Sequence, residues 1–439
     1  MTTGALVDIP DRYALSNELH ARPFPDLAPP CRAAFIAIMD PVAGAERDRS
    51  KDLTHLIKLL DRYGAPHPAP GANQHSCALG RGVLKWEQHT EFVTYTIFGD
   101  GAAETPFDAQ IYGLFPREWL AEAPGNILTS CLVRVELCEG WDEILKRLEN
   151  DVQKWFVPES LAMASVVDGS GLIAGDFRID EQGHVRFAVL APASISGRRL
   201  GRIVQRLLEI ETYKAASMLT LPLARQISRR VAGLNGALSD LVSRMARQEG
   251  SDVDTLNALL EMSAEIEVLL TSSAFRFGAA GAYEAIVHQR IEVLREERVA
   301  SRQTFAEFMN RRYDPAMRTC RSAKERLEEL ANRAEQAANL LRTRVDVASA
   351  TQNVGVLRRM DERAALQLRL QETVEGLSVG ASSYYAVNLA VNVLKPFGAQ
   401  LGLGEASVYA LVTPPVALLV WAAVRRVRRR LDQSSGDDG

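Results

Sequence analysis

Three groups of side chains in this sequence have the makings of chemistry, and the first is His20 with Arg22. They stand in Asn17-Glu-Leu-His-Ala-Arg-Pro-Phe-Pro25, where Pro23 and Pro25 forbid regular helix and leave both on an extended arm. That arm is a candidate ligand site or a docking strap. An acid–base pair would need a defined partner, which the sequence does not supply. The second group, His67, His75, Cys77 and His89, resembles a metal set in composition, but its spacings fit no zinc pattern and it straddles the loop PAPGAN. No metal is expected. The third is Ser194-Ile-Ser-Gly-Arg-Arg-Leu-Gly-Arg202, which opens a helix. There Ser196 can cap free amides, while Arg198, Arg199 and Arg202 supply charge for an anion. The motifs GxSxG, HExxH and GxxxxGK[ST] do not occur, so no enzyme is expected and no cofactor is named.

The elements that must position these groups begin with a sheet domain over residues 1–196. Arg32 to Met39 is an apolar run bounded by proline and aspartate, the pattern of a buried strand, and Glu46 to Tyr63 has helical periodicity with Leu53, Leu56, Ile57 and Leu60 on one face. Val83 to Glu87, Glu91 to Phe98 and Leu128 to Leu137 read as strands, with Gly99-Asp-Gly101 as a turn. Leu161 to Val167, Gly171 to Ile179 and His184 to Leu190 complete the series, with hairpin signals at Asp168-Gly169 and Gln182-Gly183. The expected class is α+β, with a mixed or antiparallel sheet.

Strand signals stop after Gly201, and residues 197–375 read as a helical stalk or bundle. One helix is expected to run, bent near Pro222, to about Arg247, followed by Asp252 to Leu270 and Ala279 to Ala300. His288 falls mid-helix among charges, as a surface residue. The last helix starts near Thr304 with the capping box TFAE, and Pro315 kinks or restarts it. Beyond that, Leu327, Leu330, Ala334, Ala337, Leu341, Arg344 and Ala348 recur at alternating threes and fours, a heptad seam with Arg344 inside it. The seam packs either on preceding helices or on copies of itself about an oligomer axis.

Residues 376–394 and 406–424 are uncharged runs of about 19 residues each, close to the ~20 a helix needs to cross a bilayer. A two-helix transmembrane hairpin over 376–424 is therefore expected. Arg425, Arg426, Arg428, Arg429 and Arg430 close the second run and suit lipid headgroups, whereas Lys395 and Glu405 flank the connection. The positive-inside rule then puts both termini in the cytoplasm, with the basic tail 425–439 beside an inner membrane. At about 100° per residue, Ser378, Ser382, Tyr385, Asn388 and Asn392 share an arc of roughly 120°, either an interhelical polar face or a pore lining. Gly376 and Gly380 fall opposite, as a helix-packing face.

Bulk properties agree. A chain of 439 residues has room for two or three domains, and a net charge of −4 gives no basic field for nucleic acid. Five cysteines without a CxxC pair suit a reducing compartment, and MTTGALVDIPDRYAL lacks the basic start and apolar core of a signal peptide.

The segments NELHARP (17–23), EIETYKAASMLTLPLAR (209–225), AYEAIVHQRIEVLREER (282–298), RRYDPAMRTC (311–320), LLRTRVDV (340–347) and LQETVEGLSVGASSYY (370–385) resemble a bacterial family of predicted membrane-anchored proteins with a domain of unknown function. The order of parts also resembles, more loosely, that of CorA-type magnesium channels. Those carry a Gly-Met-Asn signature at the end of the first span, for which this chain offers only Tyr385-Ala-Val-Asn388. The resemblances imply a homo-oligomeric inner-membrane protein with a large cytoplasmic domain, either a CorA-like ion channel or a membrane-anchored scaffold or sensor without transport.

Overall fold

The computed structural model describes residues 8–13, 16, 24–41, 44, 47–400 and 404–434. His20 and Arg22 lie outside the described residues. The chain divides into two units, Met1–Ala338 and Asn339–Gly439.

In the first unit the described residues form one nine-stranded sheet. Its strands are β1 (Cys31–Met39), β2 (Gln74–Leu79), β3 (Gly82–Gln88), β4 (Phe92–Asp100), β5 (Asn126–Cys138), β6 (Ala162–Val166), β7 (Gly171–Ile179), β8 (Val185–Pro192) and β9 (Glu297–Arg298). They lie in the order β2-β3-β4-β1-β5-β8-β7-β6-β9. Every pairing is antiparallel except β5 with β8, where two antiparallel halves meet side by side. The expected strands form with their ends shifted by a few residues. Sequence reading passed over β2, a short polar edge strand whose pairing on β3 is set by a two-residue turn with Gly80 at φ 59°.

Alternation along β1, β3 and β4 gives the sheet two unlike faces. One carries Ala34, Ile36, Ile38, Leu84, Trp86, Val93, Tyr95 and Ile97, which pack with Leu56, Leu59 and Leu60 of α1 (Arg49–Tyr63) and with Trp119 of α2 (Arg117–Ala121). Each large side chain fully buried there contributes about 1.5–3 kcal/mol. The opposite face carries Phe35, Lys85, Glu87, Thr94 and Thr96 and lies beneath α4 (Gly197–Met218). The β6–β8 half packs Met163, Leu172, Ala174, Ala188 and Leu190 on Ile144 of α3 (Trp141–Arg147) and on Leu148, Val152 and Phe156 beyond it.

Further helices α5 (Thr220–Arg247), α6 (Asp252–Glu292) and α7 (Phe305–Arg312) belong to this unit, as does the start of α8 (Asp314–Gln400). The boundary expected at 196/197 does not coincide with the observed division, because Lys85 and Thr129 of the sheet hydrogen-bond Gln205 and Glu211 of α4. The bend expected near Pro222 is a break at Leu219, and the proline sits in the first turn of α5, where it costs no intrahelical bond. The two helices expected between Asp252 and Ala300 are one, α6. Its Phe277, Ala280, Val287 and Ile291 keep a single buried stripe across Gly278 and Gly281. Thr304 and Glu307 form the expected capping box, and Asp314 restarts the chain as α8. Leu327, Leu330, Ala334 and Ala337 of the seam are buried. Arg333 donates to Asn235 of α5 from the same stretch.

Gly197 and Gly201 lie one turn apart on α4. A Cβ on Gly201 would collide with the Pro25 carbonyl, and one on Gly197 with Asp26 and Leu27, so these glycines admit the segment Pro25–Leu27 against the helix. The Leu27 N–H donates to the Gly197 carbonyl at 3.3 Å.

Two buried histidines make the fold acid-sensitive. His55 lies between the Trp119 carbonyl, 2.9 Å from Nε2, and the Tyr95 hydroxyl, 3.0 Å from Nδ1. A carbonyl only accepts, so Nε2 carries the proton and Nδ1 accepts from Tyr95, which is the neutral imidazole. Burial lowers the pKa of His55, and likewise that of His184, which bonds Ser130 at 2.7 Å. A folded-state pKa below the unfolded value of about 6.5 means that the unfolded chain binds protons first. Stability from these sites is complete above about pH 6.5 and is lost as pH falls toward the folded values. Thermal unfolding at pH 7.5 and pH 5.0 checks this: the transition should fall at pH 5.0, and a pH-independent transition would remove the argument.

In the second unit α8 continues, and α9 (Glu405–Ser434) follows. Val391, Val408 and Val412 are buried together, flanked by Val387, Ala390 and Val416, so valines of α8 and α9 interlock. Among the described residues one helix is long and apolar enough to cross a membrane, Ala406–Arg426. Pro414 and Pro415 lie inside it.

Candidate ligand-binding site

The face of the sheet under α4 is polar although buried. Lys85, Thr94, Thr96, Gln205 and Thr212 are each less than a tenth exposed. They and their neighbours line a half-open cavity of about 240 Å³. Its sheet wall follows from register, since Lys85 stands opposite Thr96 and Glu87 opposite Thr94, with Phe35 paired to Thr96 from the other side. Its helix wall comes from Gln205, Leu208, Glu209, Thr212 and Tyr213 of α4, spaced at three and four residues, and Arg290 of α6 closes one end.

The charged groups form one chain of contacts. Lys85 Nζ lies 3.1 Å from Glu87 Oε1 and donates to Gln205 Oε1 at 2.7 Å. The Gln205 amide donates to Glu209 Oε1 at 2.8 Å, and Arg290 pairs with the other Glu209 oxygen. Two cations and two carboxylates thus alternate across strand, α4 and α6. Facing them are Phe24, Phe35, Phe92, Phe98 and the His89 ring, which stacks on Phe92 at 4.5 Å. The site therefore offers hydrogen bonds of both signs at one side and apolar surface at the other.

The aromatic wall is fixed from behind. Arg47 donates to the carbonyls of His89, Thr90 and Phe92 at 3.0–3.1 Å, and its guanidinium pairs with Asp52 at 2.5 Å. Tyr283 donates to Glu91, which also pairs with Arg276 at 2.6 Å. Burial and that bond to Glu91 push the Tyr283 hydroxyl pKa upward, so it stays a donor. The turn carrying His89 and Phe92 is clamped by α6 and by the segment before α1.

Of the groups picked out from sequence, His89 lines the cavity and the others fall elsewhere. His67 bonds Asp61 at 2.7 Å and His75 bonds the Pro66 carbonyl at 2.8 Å, and among the described residues no cluster could hold a metal ion. Burial raises the thiol pKa of Cys31 to about 12 and pushes those of Cys77, Cys131, Cys138 and Cys320 upward, so these thiols stay protonated. Ser196 caps α4 by accepting from the Arg199 amide. His288 is half-exposed and lies 3.3 Å from Asp314. Of the polar arc, Ser378, Ser382, Tyr385 and Asn392 are exposed, and Asn388 accepts from the Tyr409 hydroxyl of α9 at 3.4 Å. A Cβ on Gly376 or Gly380 would meet open space, and the contact between the two helices is the valine cluster further along. Arg344 is partly buried. Arg425 lies over the Trp421 ring at 4.8 Å and Arg426 is exposed, while the side chains of Arg428, Arg429 and Arg430 lie outside the described residues.

Sequence reading missed the cavity. Its signal was the alternation Lys85-Trp86-Glu87 and Thr94-Tyr95-Thr96, polar at every second position, which reads as a solvent face unless the strands are known to be covered on both sides.

Fold and site define an α+β protein with a covered sheet, a polar cavity between sheet and helix, and an apolar helix near the C-terminus. The chain belongs to the family described as protein of unknown function DUF3422, whose model matches residues 7–431. No curated protein matches it.

Proposed function

We propose that this protein is a membrane-anchored sensor whose sheet domain binds a small metabolite in the cavity under α4, with α8 and α9 inserting as a hairpin that tethers it to the inner membrane. The observation that carries the reading is the alternation of Glu87, Lys85, Gln205, Glu209 and Arg290, buried at Lys85 and Gln205 and partly exposed at the other three, facing a phenylalanine wall. Buried charge is costly unless paired, and a cavity lined with it is suited to a ligand bearing both signs. At about 240 Å³ the space is below the ~300–1,000 Å³ of drug-sized sites, which suits an amino acid or a molecule of that size. The arginines after Ala406–Arg426 favour a cytoplasmic C-terminus. Tethering is preferred to a CorA-like pore because Asn388, a member of the proposed lining, is engaged by Tyr409 within the chain.

The test is thermal unfolding of the full chain in detergent micelles against the twenty amino acids and their 2-keto acids. A binder at 100 times its Kd adds about 2.7 kcal/mol, a rise of several degrees. Lys85→Met and Thr96→Val should each abolish the rise while leaving circular dichroism unchanged. No rise with any member of the panel, or an equal rise in both variants, would sink the proposal.

A further inference from the structure

A second concave surface lies between the start of α4 and the end of α6 and shares no lining residue with the cavity. It is an open groove of about 670 Å³ lined by Arg199, Arg202, Arg206 and Arg295 together with Gln289 and a single carboxylate, Glu292. The guanidinium groups are under-compensated. Arg295 pairs with Asp168 at 2.5 Å, but Arg199 and Arg206 reach only neutral acceptors, Ser170 Oγ and the Val293 carbonyl, both at 3.1 Å. Arg202 has no ion pair or hydrogen bond among the described residues. Burial lowers the pKa of Arg206, and the neighbouring charges of Arg202, Arg290 and Arg295 lower it further against an opposing pull from Glu209.

Such a gathering costs Coulomb energy that an anion with several acceptor oxygens would return. Arginine matches phosphate through paired N–H groups, and guanidinium groups from two separate elements can grip one phosphate from different sides. We infer that the groove formed by Arg199, Arg202, Arg206 and Arg295 binds the phosphate group of a phosphorylated solute or of a phospholipid headgroup. The Ser196 cap takes up the Arg199 amide, and the groove is lined by the arginine side chains.

Isothermal titration of the full chain in detergent micelles, with sodium pyrophosphate and separately with dihexanoyl phosphatidic acid, tests this. At least one probe should bind with 1:1 stoichiometry. Arg202→Ala should weaken it about tenfold, the loss of one charge-assisted contact, with Arg202→Lys recovering part. Arg230→Ala, on exposed α5, should change nothing. Binding of pyrophosphate points to a solute; binding of the lipid alone points to a headgroup. Failure of both probes, unchanged affinity in Arg202→Ala, or an equal loss in Arg230→Ala would overturn the inference. Lys85→Met should leave this affinity intact, which separates the groove from the cavity.

Discussion

An Arg47→Met variant should lose about 3–5 kcal/mol of stability, the cost of leaving one charge of a buried pair alone. The Asp52 side chain is 1% exposed, so its carboxylate cannot recover the lost partner from water. Gln88 donates to the same Asp52 oxygen at 3.0 Å, a neutral contact that does not replace a guanidinium. The loss extends to the turn, because the carbonyls of His89, Thr90 and Phe92 surrender a common donor. Phe92 and His89 line the cavity, so ligand binding should fall with stability. Denaturant unfolding of the full chain measures the first effect. Adding Asp52→Leu should recover part of it, since removing both charges abolishes the orphan. A single variant as stable as the parent would show that the pair contributes nothing.

Gly201→Val carries the next largest effect. Any side chain there meets the Pro25 backbone, which cannot rotate away as a flexible side chain could. Overpacking of this kind costs about 1–3 kcal/mol. The displaced segment carries Phe24 and Pro25 away from the cavity as well, so affinity and stability should drop together. Gly233→Ala on α5 is the control. A Cβ there meets open space, and the change should be neutral or stabilise by about 0.5–1 kcal/mol. If Gly201→Val unfolds no earlier than the parent, Pro25–Leu27 does not lie against α4.

Most of the sheet was legible because its strands advertise themselves. Cys31–Met39 is apolar except for Arg32, and Asp168-Gly169 and Gln182-Gly183 mark turns by residue type alone. The break at Leu219 and the continuity of α6 were not legible. Pro222 is as acceptable in a first turn as it is disruptive in an interior, and Gly278 with Gly281 weakens a helix that tertiary packing then upholds. The cavity was hidden for a different reason. Whether Lys85 and Thr96 face water or another layer depends on where α4 lands, more than a hundred residues later, and no local pattern encodes that. The role of Gly197 and Gly201 was equally remote, since the chain they admit lies far upstream at Pro25.

The chain of contacts through the cavity has no spare links. Gln205 spends its carbonyl on Lys85 and its amide on Glu209, and Glu209 in turn restrains Arg290. Lys85 spends two of its three N–H groups on Glu87 and Gln205, so a molecule that draws it away from Gln205 is felt one link on, where α4 is fastened to α6. Occupancy and the grip between those two helices are two readings of one equilibrium, so whatever tightens the helices must alter affinity by the same factor that the ligand alters their hold.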